Sequence, residues 1–90
     1  MKSEVSVLAI REQQVGPDHP DTATSLNNLA NLYWNQGKDE QAEPLYQRAL
    51  SIDERTLGLQ HPHTQTIRAN YARLLRTMGH DAEATALDQP

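Results

Sequence analysis

Ninety residues suffice for one small domain, and a formal net charge of −4 with a pI near 5.4 leaves no basic field to attract nucleic acid or an anionic membrane. Cysteine is absent, which excludes disulfides, cysteine-based zinc sites and thiol chemistry, and no apolar run approaches the roughly 20 residues of a membrane span. Met1-Lys2-Ser3-Glu4 puts charge where a signal peptide needs an apolar run, so a soluble, cytoplasmic chain is expected.

Ala and Leu dominate, interleaved with Gln, Asn, Glu and Arg, and Phe is missing. That is helix-forming material with few β-branched runs, so the expected class is all-α. The first segment, Ser3 to Val15, reads as a helix with Val5, Leu8 and Val15 on one face, ended by Gly16. Asp18 is then expected to cap a second helix, with Pro20 in its first turn, where a missing N–H costs little. Leu26, Leu29, Ala30 and Tyr33 follow the i, i+3, i+4, i+7 spacing of a buried stripe. This helix runs to about Gln36, and Gly37 breaks it. Asp39 is expected to cap the third helix, which runs to about Leu57 with Ala42, Leu45, Tyr46, Ala49 and Leu50 as its stripe. Pro44, one turn inside, removes one backbone hydrogen bond. His61-Pro62 opens a fourth helix to about Met78, and after Gly79 a short fifth helix runs from Asp81 to about Asp88.

The chain repeats itself. Gly16-Pro17-Asp18-His19-Pro20-Asp21-Thr22 returns as Gly58-Leu59-Gln60-His61-Pro62-His63-Thr64, an offset of 42 residues. Leu8 and Leu50, Asn28 and Asn70, Ala30 and Ala72, Gly37 and Gly79, and Ala42 and Ala84 keep the same register. One domain over 1–90 is expected: 1–16 as the second helix of a partial repeat, 17–58 as a complete repeat, and 59–90 as a second, truncated or capping repeat. Short glycine turns make antiparallel hairpins. A hairpin cannot cover its own apolar face, so successive hairpins stack into a curved solenoid with a concave inner surface.

The ordered set Leu26-x-x-Leu29-Ala30-x-x-Tyr33-x-x-x-Gly37-x-x-x-x-Ala42-x-x-x-Tyr46-x-x-Ala49 resembles the tetratricopeptide repeat. The longer unit, with its Gly-x-x-His-Pro junction and Leu-Asn-Asn-Leu-Ala run, is similar to the kinesin light chain type, a subtype that also occurs widely in bacterial multi-repeat proteins. The resemblance implies a right-handed solenoid of about five helices. It also implies a protein-interaction role, with a peptide or partner helix held in a groove lined by the first helix of each repeat. Carried over position by position, the groove residues would be Asn27, Asn28, Asn31, Trp34 and Asn35, and Asn70, Arg73 and Arg76 in the second repeat. An asparagine amide both donates and accepts, so Asn28 and Asn70 can clamp a peptide backbone. Arg73 and Arg76 would favour an acidic ligand or a C-terminal carboxylate. Trp34 is expected to be partly buried with one exposed edge. Arg68, Tyr71 and Leu75 replace the residues expected from Leu26, Leu29 and Tyr33, which suggests a wetter outer face for the second unit.

Other chemistry finds little support. His61-x-His63 is the one close histidine pair, and it lacks the i, i+4 spacing of two ligands on a helix face; a capping or packing role is expected for His19 and His61, and no metal or other cofactor. The glycines are solitary, serines lack a paired His and Asp at motif spacing, and Glu12, Glu40, Glu43, Asp53 and Glu54 are spaced as helix-surface charges, so no enzyme is expected. The competing expectation is structural: apolar stripes left open at both ends favour homo-oligomerisation.

Overall fold

Four helices follow one another in a computed structural model that describes residues 8–10, 13–14 and 16–88: α1 (Pro20–Asn35), α2 (Asp39–Thr56), α3 (Pro62–Thr77) and α4 (Asp81–Asp88). Residues 8–10 and 13–14 are also helical, and the remainder of the first expected helix lies outside the described residues. Each helix packs on its sequence neighbour, giving two antiparallel hairpins, α1–α2 and α3–α4, joined where α2 meets α3. The Cα envelope of 36 × 30 × 16 Å is a slab, as stacked hairpins require. No helix among the described residues is long and apolar enough to cross a membrane.

The core is built from alanines at the crossings and larger side chains between them. Ala23, Ala30, Ala42, Ala49, Ala72 and Ala84 are wholly buried, letting helix axes approach. Leu26, Tyr46, Ile52, Ile67, Leu74 and Leu75 fill the remaining volume. Tyr33 and Leu45, expected within the stripe, are only half-buried at its edge, where the Lys38 ammonium sits 5.7 Å from the Tyr33 ring centre. Tyr71 and Leu75 do not wet the second repeat. Leu75 is buried, and the buried Tyr71 ring stacks on Tyr46 at 6.2 Å, its hydroxyl reaching Gln47 and Glu43. Arg68 alone of the three substitutions is polar and half-exposed, donating to the Leu59 carbonyl.

The helix ends follow the glycines, but the caps differ from expectation. At the end of α1 the Lys38 N–H donates to the Tyr33 carbonyl at 2.8 Å and the Gly37 N–H to that of Trp34 at 2.9 Å, with Gly37 at φ +78°. These are the paired bonds of a Schellman turn, which needs a left-handed residue at this point. The turn is so tight that Lys38 both closes α1 and stands as N-cap of α2, with no side-chain capping bond. Asp39 is thereby drawn into the first helical turn, where its charge still favours the helix dipole. Asp18 does not cap α1 either. His19 does, its Nδ1 accepting from the Asp21 N–H at 3.0 Å, because Pro20 as first helical residue leaves position 19 the cap. His61 repeats the device at the start of α3, accepting from the His63 N–H at 3.1 Å.

Candidate functional site

The first helices of the two repeats, α1 and α3, are tied by side chains as well as by packing through α2. On α1, Asn27, Asn31 and Trp34 follow i, i+4, i+7 spacing, and Asn28 and Asn35 flank them. On α3, Asn70, Arg73 and Arg76 stand three residues apart on one face. Asn27 and Asn70 are both 8 % exposed. The Asn70 side-chain N–H donates to Asn27 Oδ1 at 3.2 Å, and its Oδ1 accepts from the Arg73 guanidinium. Asn70 therefore spends both ends of its amide on the protein. It forms a strut between repeats and orients Arg73, whose own side chain is exposed.

Asn28, at the repeat position of Asn70, is exposed, and the described residues hold no earlier first helix against which it could lean. Asn31 is half-buried and its Oδ1 accepts from the Tyr46 hydroxyl. Burial pushes the pKa of that hydroxyl up to about 12, with the Arg73 charge pulling the other way, which puts Arg73 near the same polar seam. Trp34 is half-buried at the edge of the core, while Asn35 and Arg76 are exposed. The structure thus joins Asn27, Asn70 and Arg73 in one chain of hydrogen bonds and holds Asn31 through Tyr46. Asn28, Asn35 and Arg76 are surface positions on the same helices.

A second polar cluster lies at the repeat junction and was not legible as one. Asp53, expected on the helix surface, is fully buried, and its Oδ2 meets Nδ1 of His63. Nε2 of His63 lies 3.2 Å from Thr24 Oγ1. The desolvation of Asp53 raises its pKa, and the charge and hydrogen bond of His63 oppose that rise. The 42-residue register held a signal for this pair: Arg11 and Asp21 occupy the equivalent positions, another cation–anion set with the signs exchanged. A Thr–His–Asp order invites comparison with a nucleophilic relay, but Thr24 lies within a helix whose neighbouring N–H groups are spent on the backbone ladder. Among the described residues that leaves no pair of backbone donors beside Thr24 for an oxyanion.

Neither histidine of the 61–63 pair is turned toward a shared ligand: His61 caps α3 and His63 faces Asp53. The metal-type donors that fall together among the described residues are those of Glu43, His80 and Glu83, within 4.8 Å of one another. His80 and Glu83 are exposed and Glu43 already accepts from Tyr71, so this is a solvated cluster at a hairpin edge.

Residues 22–63 match the tetratricopeptide repeat family. This segment begins two residues inside α1 and ends in the first turn of α3, and thus takes in one complete hairpin and the junction. The chain is also 48 % identical over 42 residues to nephrocystin-3 of Xenopus laevis and, to the same extent, to nephrocystin-3 of Homo sapiens. Each match covers 47 % of this chain and 3 % of the relative, so the chain spans a small part of the length of those proteins. Stacked antiparallel hairpins and the family match agree on a tetratricopeptide-like, all-α repeat fold, and repeats of this type generally mediate protein–protein interaction.

Proposed function

We propose that this chain is a protein-interaction module that holds a peptide or a partner helix across α1 and α3. The observation that carries the reading is the Asn27–Asn70–Arg73 chain of hydrogen bonds, which fixes an exposed guanidinium beside a row of asparagines from the neighbouring repeat. A guanidinium has five N–H donors, and Asn70 engages one Nη of Arg73, so a carboxylate can be gripped as well. Asn28, Asn31 and Asn35 supply backbone-type donors and acceptors, and Trp34 a half-buried ring on which an apolar side chain can rest. The preferred ligand is an acidic segment or a free C-terminus. Asn70 positions Arg73. The longer repeat and its Gly-x-x-His-Pro junction support a module of the kinesin light chain type.

The test is a titration, followed by Trp34 fluorescence, with short acidic peptides bearing either a free or an amidated C-terminus. Arg73→Ala should weaken binding of the free-acid peptides by about tenfold, the size of one charge-assisted hydrogen bond. Equal affinity of the wild-type and Arg73→Ala chains would remove the carboxylate-binding role. A second reading, self-association, is favoured by an apolar cleft of about 260 Å³ lined by Tyr71, Leu75, Ala86 and Leu87, with Glu83 at its rim. Sedimentation over a range of concentrations separates the two, since a strictly monomeric chain rules out the second.

A further inference from the structure

His63 touches both repeats at once. Its ring joins Asp53 on α2 to Thr24 on α1 from the first turn of α3, and with 32 % of its side chain exposed it meets water on one edge. Asp53 is fully buried, and its second carboxylate oxygen, Oδ1, has no hydrogen-bond partner. A carboxylate removed from water needs either an opposite charge or a full set of donors. Asp53 has one ring nitrogen, so the charge on that ring decides how well it is compensated.

The proton inventory gives the direction. With His63 as an imidazolium, both ring N–H groups find acceptors, Asp53 Oδ2 and Thr24 Oγ1, while the Thr24 hydroxyl keeps its bond to the Pro20 carbonyl at 3.2 Å. With a neutral ring the opposing charge is gone and only one N–H remains. Either a lone pair then faces the carboxylate, or Thr24 turns its proton from Pro20 to Nε2. At the equivalent positions one repeat earlier the sequence places Arg11 and Asp21, where the cation is permanent. At the junction of the described hairpins the cation is one that titrates.

We propose that the His63–Asp53–Thr24 contact is a proton-operated latch between the two repeats, tight while His63 is charged and slackened when it loses its proton. Its effect is on the seating of α3 against the first hairpin, and it stands whether or not the groove binds peptide. Burial makes Asp53 hold its proton more firmly than a free carboxylate, and His63 relieves this, with a smaller contribution from the charge of His61. The group facing the pair from α1 is the neutral Thr24, and on α2 the exposed Arg55 is paired with Asp18 at 3.1 Å. His19 and His61 must be separated from the effect. Each caps a helix with the Nδ1 lone pair, so protonation breaks those caps and acts with the opposite sign.

The experiment therefore uses a chain carrying His19→Asn and His61→Asn, which keeps both caps and removes their titration. Urea unfolding is followed between about pH 5.5 and 8.5, the range of histidine chemistry. The folding constant should fall as pH rises, at most about tenfold per pH unit, the limit for one proton. Adding His63→Gln or Asp53→Asn should flatten that dependence; an unchanged slope in both overturns the latch. Should those chains fail to fold, ring ¹⁵N spectra of the wild type decide. The latch requires both His63 nitrogens to be protonated in the tight state and one of them to lose its proton as the folding constant falls. It also requires the Thr24 and Asp53 amides to shift as His63 titrates. A ring carrying one proton throughout, or amides that ignore its titration, overturns it.

Discussion

Tyr46 shows what one side chain must satisfy at the centre of a thin core. It is wholly buried, its ring stacks on Tyr71, and its hydroxyl donates to Asn31 at the edge of the proposed binding face. Burial pushes the pKa of that hydroxyl from 10.0 up to about 12. The native state thus keeps the proton when the unfolded chain has lost it, so stability is intact below pH 10.0 and falls as pH rises toward about 12. Tyr46→Phe should make that alkaline limb shallower, as read from thermal melts in this range, leaving the part due to Tyr71, whose pKa burial also raises, and should cost about 1 kcal/mol at neutral pH for the lost hydrogen bond. Asp53 follows the same sign at the acid end. Its raised pKa means that folding takes up a proton above the ordinary carboxylate value of 3.8, so stability declines as pH climbs from there through the raised value. Most paired carboxylates do the reverse. Asp53→Asn should remove this decline, and an acid titration of stability that is the same in both chains would contradict it.

The elements end where glycine permits and begin where a side chain can cap. Gly37 stands at φ +78° with open space around it: a Cβ there would meet no atom within 4 Å, so only backbone conformation opposes a substitution. Gly37→Ala should destabilise by about 1–2 kcal/mol, seen as a lower urea midpoint with an unchanged slope. His19→Ala should cost about 1 kcal/mol by removing the α1 cap, while His19→Asn should hold stability, because an asparagine oxygen accepts the same N–H. The glycine register and the apolar spacing made the helices and their order legible, since both depend on local backbone geometry and a 3.6-residue period. The caps were less so. One residue serves as the end of one helix and the start of the next at Lys38, and Pro20 moves the cap from Asp18 to His19. Side-chain roles on the first helices were legible only as positions. Asn28 and Asn70 share a register, yet Asn70 pairs with Asn27, because contacts between repeats depend on how one helix is rotated against another. Asp53 was hidden for the same reason: its spacing on α2 is that of a surface charge until α3 covers it.

At the scale of the molecule, each hairpin depends on its neighbour. The junction joins the Tyr46–Tyr71 stack, the Asp53–His63 pair and the Asn27–Asn70 bond, and the Asp53 carbonyl also receives the Leu57 and Gly58 N–H groups and the Thr64 hydroxyl. The second hairpin contains the eight-residue α4 and has the smaller partner within its own unit, whereas α2 runs for 18 residues. Stability in such an array is a sum of each unit and its interface, so loss of the interface should fall mainly on the weaker unit. Tyr71→Ala removes the stacked ring from the junction and leaves Gln47 and Glu43 without its hydroxyl, at a cost of about 3 kcal/mol. Hydrogen exchange should then show α3 and α4 losing protection first while α1 and α2 retain more of theirs. An equal loss of protection in all four helices would mean that the two hairpins fold as one indivisible unit, and that the junction transmits the whole of the stability.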